Sequence, residues 1–258
     1  EISLGLVGSE MCIRDSCMTD PVVLVTGANG DIGQGVVRKI LDQTDYKVVI
    51  TVTPNNKGKC KFGGRVEEVV MDASDISSIN IAIKRICLNQ ISHFIQIHGN
   101  SDTNDRLDAQ NYERLIYHHN INIFSTIMII QALLKGMKER KFGRICLMST
   151  ASSEHGGGLE SFGYGMAKHS MGYLIKHLAK YYTSFNIVSN CISPGFIDTK
   201  FHTSVMKRSS QQIQERVKMV KLQRAGSVEE VASLAFFLTF ENNFISGQNV
   251  KIDGADFI

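Results

Sequence analysis

Residues 22–33 read Val22-Val23-Leu24-Val25-Thr26-Gly27-Ala28-Asn29-Gly30-Asp31-Ile32-Gly33. An unbroken apolar run rich in β-branched residues predicts a strand buried on both faces, as in a parallel sheet. A glycine-rich turn follows it and opens a helical pattern over Ile32–Leu41. Strand, glycine turn and helix together form the context in which backbone N–H groups at a helix N-terminus receive a pyrophosphate. Gly27, Asn29, Gly30, Asp31, Ile32 and Gly33 are therefore the first candidate cofactor contacts.

The same alternation continues outward from this stretch. Further strands are expected at Lys47–Thr53, Glu68–Met71, His93–Ile97, Arg144–Met148, Ile187–Ile192 and Asn249–Ile252. Helical patterns fill Ile76–Leu88, Tyr112–Arg140, Tyr164–Tyr182, Gln211–Met219 and Val228–Thr239, the last opened by a Ser227/Glu230 capping box. Apolar strands separated by amphipathic helices predict an α/β protein: a three-layer doubly wound parallel sheet, the Rossmann fold, as a single domain over residues 18–258. Residues 1–17 show neither periodicity and are expected to be a non-native or disordered tail.

Composition narrows the function classes. Of 258 residues, 43% are hydrophobic and 21% charged, and the net charge is only +3. That excludes a disulfide scaffold, a collagen or a disordered chain, and gives no basic footprint for nucleic acid. No apolar run reaches the roughly 20 residues a bilayer demands, so no membrane partner is expected. The six cysteines have no CxxC spacing and form no Cys/His ligand set, so no metal is expected either. Cys146 and Cys191 fall inside strands, where a thiol acts as a small hydrophobe. The expected compartment is the cytoplasm.

Cofactor choice depends on the loop after the second strand, where an acid would hold the ribose hydroxyls of NAD. No Asp or Glu lies between Tyr46 and Val66, whereas Lys57, Lys59 and Lys61 do. NADP is favoured, with NAD as the alternative. Asp72 and Ala73, after the third strand, are placed against the adenine, although a turn aspartate would look the same.

The chemistry is expected further along. Tyr164 and Lys168 are four residues apart, hence on one helix face. The strand Arg144–Met148 ends in Ser149-Thr150, at the strand terminus where ligands of open α/β sheets bind. With the glycine turn, Asp72, Asn122 in a long helix, and the run Asn190-Cys191-Ile192-Ser193-Pro194-Gly195-Phe196-Ile197-Asp198-Thr199, these motifs stand in a fixed order. In that order the chain resembles the short-chain dehydrogenase/reductase family, in its small single-domain branch. The resemblance runs from Met18 to Ile258.

The resemblance implies a general acid/base at Tyr164, supported by Lys168, with Thr150 orienting the substrate and Asn122 anchoring a proton-relay water. Ser149 and Ser152 stand as rivals to Thr150, and Asn120 as a rival to Asn122. It also implies coenzyme contacts from Gly99, Pro194, Gly195, Ile197 and Thr199, besides Tyr164 and Lys168. The implied activity is interconversion of a carbonyl and a secondary alcohol on a small or carrier-bound substrate, by a homotetramer or homodimer. The closest look is to 3-oxoacyl-(acyl-carrier-protein) reductases and carbonyl reductases. Alternatives are a nucleotide-sugar epimerase or dehydratase, and a catalytically silent dinucleotide-binding regulator. The segment Lys200–Arg224 is expected to form a lid.

Four positions depart from the family pattern. Asp31 replaces a glycine, and replacing it by Gly is expected to leave dinucleotide binding intact. The family's Asn-Ala-Gly is Ile97-His98-Gly99, its serine is Thr150, and its terminal Asp-Gly-Gly is Asp253-Gly254-Ala255.

Overall fold

The computed structural model describes residues 21–102 and 105–256, so the expected tail at 1–17 lies outside the described residues. Seven strands form one sheet: β1 (Val22–Thr26), β2 (Lys47–Val52), β3 (Val66–Val70), β4 (Ile91–Gln96), β5 (Gly143–Met148), β6 (Ile187–Pro194) and β7 (Asn249–Ile252). Their order is β3-β2-β1-β4-β5-β6-β7 and each neighbouring pair is parallel. The helices are α1 (Asp31–Gln43), α2 (Ile76–Arg85), α3 (Tyr112–Glu139), α4 (Phe162–Tyr182), α5 (Ser210–Met219) and α6 (Val228–Phe236). This is the three-layer doubly wound arrangement expected from the sequence.

Strand periodicity explains why β1 is apolar throughout. Val22 and Leu24 face one core with Ile79 of α2, Leu133 of α3 and Met171 of α4. Val23 and Val25 face the other, with Val36, Val37 and Ile40 of α1 and Val231 and Ala235 of α6. Cys146 and Cys191 are fully buried in β5 and β6, packed as small apolar side chains. Although α3 is long and apolar enough to cross a bilayer, its residues Ile129, Ile130, Leu133 and Met137 are buried in the first core.

Local chemistry moves several boundaries. α2 stops at Arg85 because Ile86 turns extended, and Leu88–Gln90 form a separate 3-10 turn. α4 starts two residues before Tyr164. α3 contains a π turn at Asn120–Phe124, and a second π turn, Phe237–Glu241, continues α6. The Ser227/Glu230 capping box is formed, and an unforeseen one, Ser209/Gln212, opens α5. Ala255 stands at φ 60°, in the left-handed region a glycine would adopt freely, at a cost of roughly 1 kcal/mol.

Two histidines are held neutral inside this frame. His93 is buried, stacks on Phe240 at 4.8 Å and bonds Ser92 through Nδ1. Burial, then the charges of Arg144 and Arg140, push it down to about 3. Burial, then Lys168, push His98 down to about 3 as well. An unfolded histidine titrates near 6.5, so the unfolded chain binds more protons between these values. Stability is thus complete above about pH 6.5 and declines as pH falls toward 3. The thermal midpoint should drop steadily on acidification through this window, and His93→Gln should make the slope shallower; an unchanged slope would refute the account.

Candidate active site

The C-terminal strand ends open on a cleft of about 1450 Å³. It straddles the switch between β1 and β4, where successive connections depart to opposite faces. Apart from the lysines after β2, every cofactor candidate from the sequence lies in its wall, from Gly27 at the β1 turn to Thr199 beyond β6.

At the nucleotide end, Gly27 has φ 78°, and a Cβ there would lie 2.5 Å from the His98 backbone nitrogen. Only a glycine lets the β1 turn and the β4 exit approach this closely. α1 then begins at an extended Gly30 with no side-chain cap. Its first-turn N–H groups are therefore left for an anionic ligand. The β2 end contributes Thr53 and Asn56 to the wall. Lys57, Lys59 and Lys61 are not in the wall, so the lysine pairing suggested by the sequence is not brought together. Instead, the Gly58 N–H donates to Glu68 of β3 at 2.7 Å. Asp72 accepts from the Ser74 N–H and hydroxyl at 2.9 and 2.6 Å, so it makes the turn while also lining the cleft. Asp31 acts as a structural tie, because its Oδ2 accepts from the Lys200 N–H at 2.7 Å and joins the glycine turn to the start of the expected lid.

At the chemical end, Lys168 is 2% exposed although it carries an ammonium. Its Nζ donates to the Met148 carbonyl at 2.8 Å and the His98 carbonyl at 3.4 Å. Burial brings it down to about 8. Gly99 is wedged beside it, where a Cβ would meet Asn122 Oδ1 and Lys168 Nζ, both at 2.8 Å.

The three hydroxyl rivals separate by their partners. Ser149 donates to the Lys168 carbonyl at 2.8 Å and so belongs to the packing of α4. Thr150 and Tyr164 both line the cleft, and the Thr150 Oγ1 lies 3.0 Å from Ser152 Oγ. Burial pushes the phenol up to about 12, with the Thr150 hydroxyl opposing it.

Asn122 differs from the other candidates in lying behind the wall, fully buried in the π turn. Its Oδ1 accepts from the Asn100 N–H, and its Nδ2 donates to the Asn100 and His118 carbonyls. Asn120 points elsewhere, with Nδ2 3.5 Å from the Ser74 carbonyl. His98 bridges Thr26 at 2.7 Å and Ser125 at 2.8 Å.

Sequence reasoning missed Asp105. Its carboxylate is fully buried and accepts from the Gly163 and Tyr164 N–H groups, both at 2.8 Å. Gln110 donates to it at 2.6 Å, and the His118 Nε2 lies 3.5 Å away. It thus caps α4 from a distant loop, at the turn that carries the phenol. A residue 59 positions before Tyr164 leaves no local capping signal to read.

Comparison with known proteins places these features. A family profile described as Enoyl-(Acyl carrier protein) reductase matches residues 27–254. The oxidoreductase UcpA of Escherichia coli (strain K12) is 28% identical over 249 residues, covering 92% of this chain and 94% of that protein. The 3-oxoacyl-(acyl-carrier-protein) reductase FabG of Aquifex aeolicus is 28% identical, covering 92% and 97%. The crystal structure of YwfH, an NADPH dependent reductase involved in bacilysin biosynthesis, superposes with TM-score 0.79 at 25% identity, covering 93% of this chain and 99% of that one.

Removing the buried cap makes the helix start mobile under the phenol. Asp105→Ala should cost about 2 kcal/mol of stability and lower turnover more than coenzyme affinity. Asp105→Asn, which keeps one acceptor, should fall between the two. Parallel turnover assays and coenzyme titrations decide the matter, and parental turnover in Asp105→Ala would remove Asp105 from any positioning role.

Proposed function

This chain belongs to the short-chain dehydrogenase/reductase family of NAD(P)-dependent oxidoreductases, and from that premise we propose that it is an NADPH-dependent reductase of ketones. The observation that carries the reading is the meeting of Tyr164, Thr150 and the buried Lys168 in one cleft wall with the uncapped first turn of α1. A phenol that keeps its proton at neutral pH is suited to give one to a carbonyl oxygen.

The residues present fit the coenzyme. The uncapped first turn of α1 suits the pyrophosphate, and a β2 end without a carboxylate in the wall suits a 2′-phosphate. The YwfH likeness supports NADPH. When bound, the coenzyme supplies the hydride for the carbonyl carbon.

The chain's own residues do the rest. Tyr164 donates its phenolic proton to the carbonyl oxygen, and the Thr150 hydroxyl orients both. The Lys168 ammonium, fixed by two strand-end carbonyls, places positive charge beside the phenolate as it forms. Asn122 holds the Asn100 segment behind Gly99, beside the Lys168 ammonium. The FabG likeness supports a carrier-bound 3-oxoacyl substrate as one member of the class. The nucleotide-sugar alternative finds no second domain among the described residues.

We place the enzyme in the cytoplasm as a homotetramer paired through α3 and α4. Tyr117 and Phe124 of α3 and Met166 and Tyr173 of α4 are exposed apolar side chains, with Tyr173 at 75%. Light scattering should give a mass of two or four chains, and a monomer at micromolar concentration would refute the pairing.

Tyr164→Phe should cut NADPH-linked carbonyl reduction by roughly 10²-fold or more while the coenzyme still saturates. Turnover of the parent should stay level below pH 8 and fall above it, because Lys168 loses its proton at about 8 whereas the phenol does not. A silent regulator would oxidise no NADPH with any carbonyl, before or after the substitution.

A further inference from the structure

The lid is strongly cationic where it faces the cleft. Lys200, Lys207, Arg208 and Arg216 all line it, and no carboxylate of the lid does. Two of these cations differ in a telling way. Arg216 is matched by Asp256, whose side chain is 1% exposed and accepts both of its terminal N–H groups. Arg208 is half-buried as well, yet it has no carboxylate partner among the described residues.

The surroundings of Arg208 leave its charge uncompensated. Its Nη1 lies 3.2 Å from His202 Nδ1, and its backbone N–H donates to the His202 carbonyl at 2.9 Å. His202 is driven down to about 4, chiefly by burial, so the imidazole is a neutral acceptor there. Arg208 and Arg216 flank the same Phe196 ring at 6.0 and 5.5 Å. Burial, then the repulsive charge of Arg216, lowers the Arg208 guanidinium from its usual value.

None of the cleft-wall carboxylates supplies the missing partner. Asp31 holds the Lys200 N–H and Asp72 holds Ser74, and neither these nor Glu160 pairs with Arg208. A half-buried guanidinium without an anion is costly unless one arrives with a ligand.

We propose that Arg208 is an anion subsite of the substrate cleft, and that the carbonyl compound reduced here carries a carboxylate or phosphate that docks on it. Lys207 and Lys200 extend the positive field to the rim and steer the anion inward. Phe196 and His202, whose tilted rings lie 4.2 Å apart between centroids, hold the guanidinium at the β6 exit. The assignment rests on the ketone-reductase reading of the same cleft and adds the substrate's charge to it.

Matched pairs of carbonyl compounds test it with the full chain: acetoacetate against methyl acetoacetate, levulinate against methyl levulinate, and dihydroxyacetone phosphate against dihydroxyacetone. Turnover with NADPH should favour the anionic member of at least one pair by about tenfold, the worth of a charge-assisted hydrogen bond. The carboxylate and phosphate arms tell the two anions apart. Arg208→Ala should erase the preference, and Arg208→Lys should restore part of it.

Equal turnover of acids and neutral partners by the parent would overturn the proposal. So would an Arg208→Ala variant that loses NADPH affinity as steeply as acid preference, since Arg208 would then serve the coenzyme. If no carbonyl is reduced, the reductase reading fails. Calorimetric titration of the same anions into the NADPH-loaded parent and variant then decides the subsite, and equal heats in both would overturn it.

Discussion

A buried ammonium organises the centre of this protein. Lys168 is withdrawn from water almost completely, and such a charge is tolerated only where hydrogen bonds replace its hydration. The carbonyls of Met148 and His98 provide that replacement, one at the end of β5 and one just past the end of β4. α4 is thereby tied to two strand ends, and the space around the ammonium is rationed. Gly99 carries no side chain because a Cβ would strike both Lys168 and Asn122. Ser149 turns its hydroxyl onto the Lys168 carbonyl, which leaves Thr150 as the hydroxyl beside the phenol.

The phenol's helix is aimed from its other end by Asp105. A buried carboxylate on two first-turn N–H groups satisfies orphan donors and suits the positive end of the helix dipole. α4 is thus held at its start by a loop following β4, and one turn later by the strand ends. The phenol lies between these two anchors, so its position is set by contacts that lie far apart in the chain.

The departures from the family pattern make sense as compensated changes. Asp31 replaces a glycine where a pyrophosphate would bind, yet its carboxylate is bonded to the Lys200 N–H, which ties the segment after β6 to the glycine turn. His98 replaces a small residue, and its neutral ring bridges Thr26 and Ser125, joining the β1 end to α3. Ala255 accepts a left-handed conformation. In each case a neighbouring contact or a modest backbone cost absorbs the change.

The amino-acid order by itself determined the layers, because burial on both faces of a parallel strand forces runs such as Val22–Val25, and covering helices must then show a period near 3.6. It also placed the glycine turn, Tyr164 and Lys168, whose spacing along one strand-turn-helix or one helix face is a local property. What only the tertiary structure decided depends on contacts across the chain: Thr150 rather than Ser149 or Ser152 beside the phenol, Asn122 rather than Asn120 behind Gly99, and the exclusion of Lys57, Lys59 and Lys61 from the cleft. Asp105 and the Arg208 surroundings belong to the same class. A hydrogen bond spanning 59 residues, or the lack of a partner for a charge, leaves no periodic trace, because it exists only once the sheet has brought those segments together.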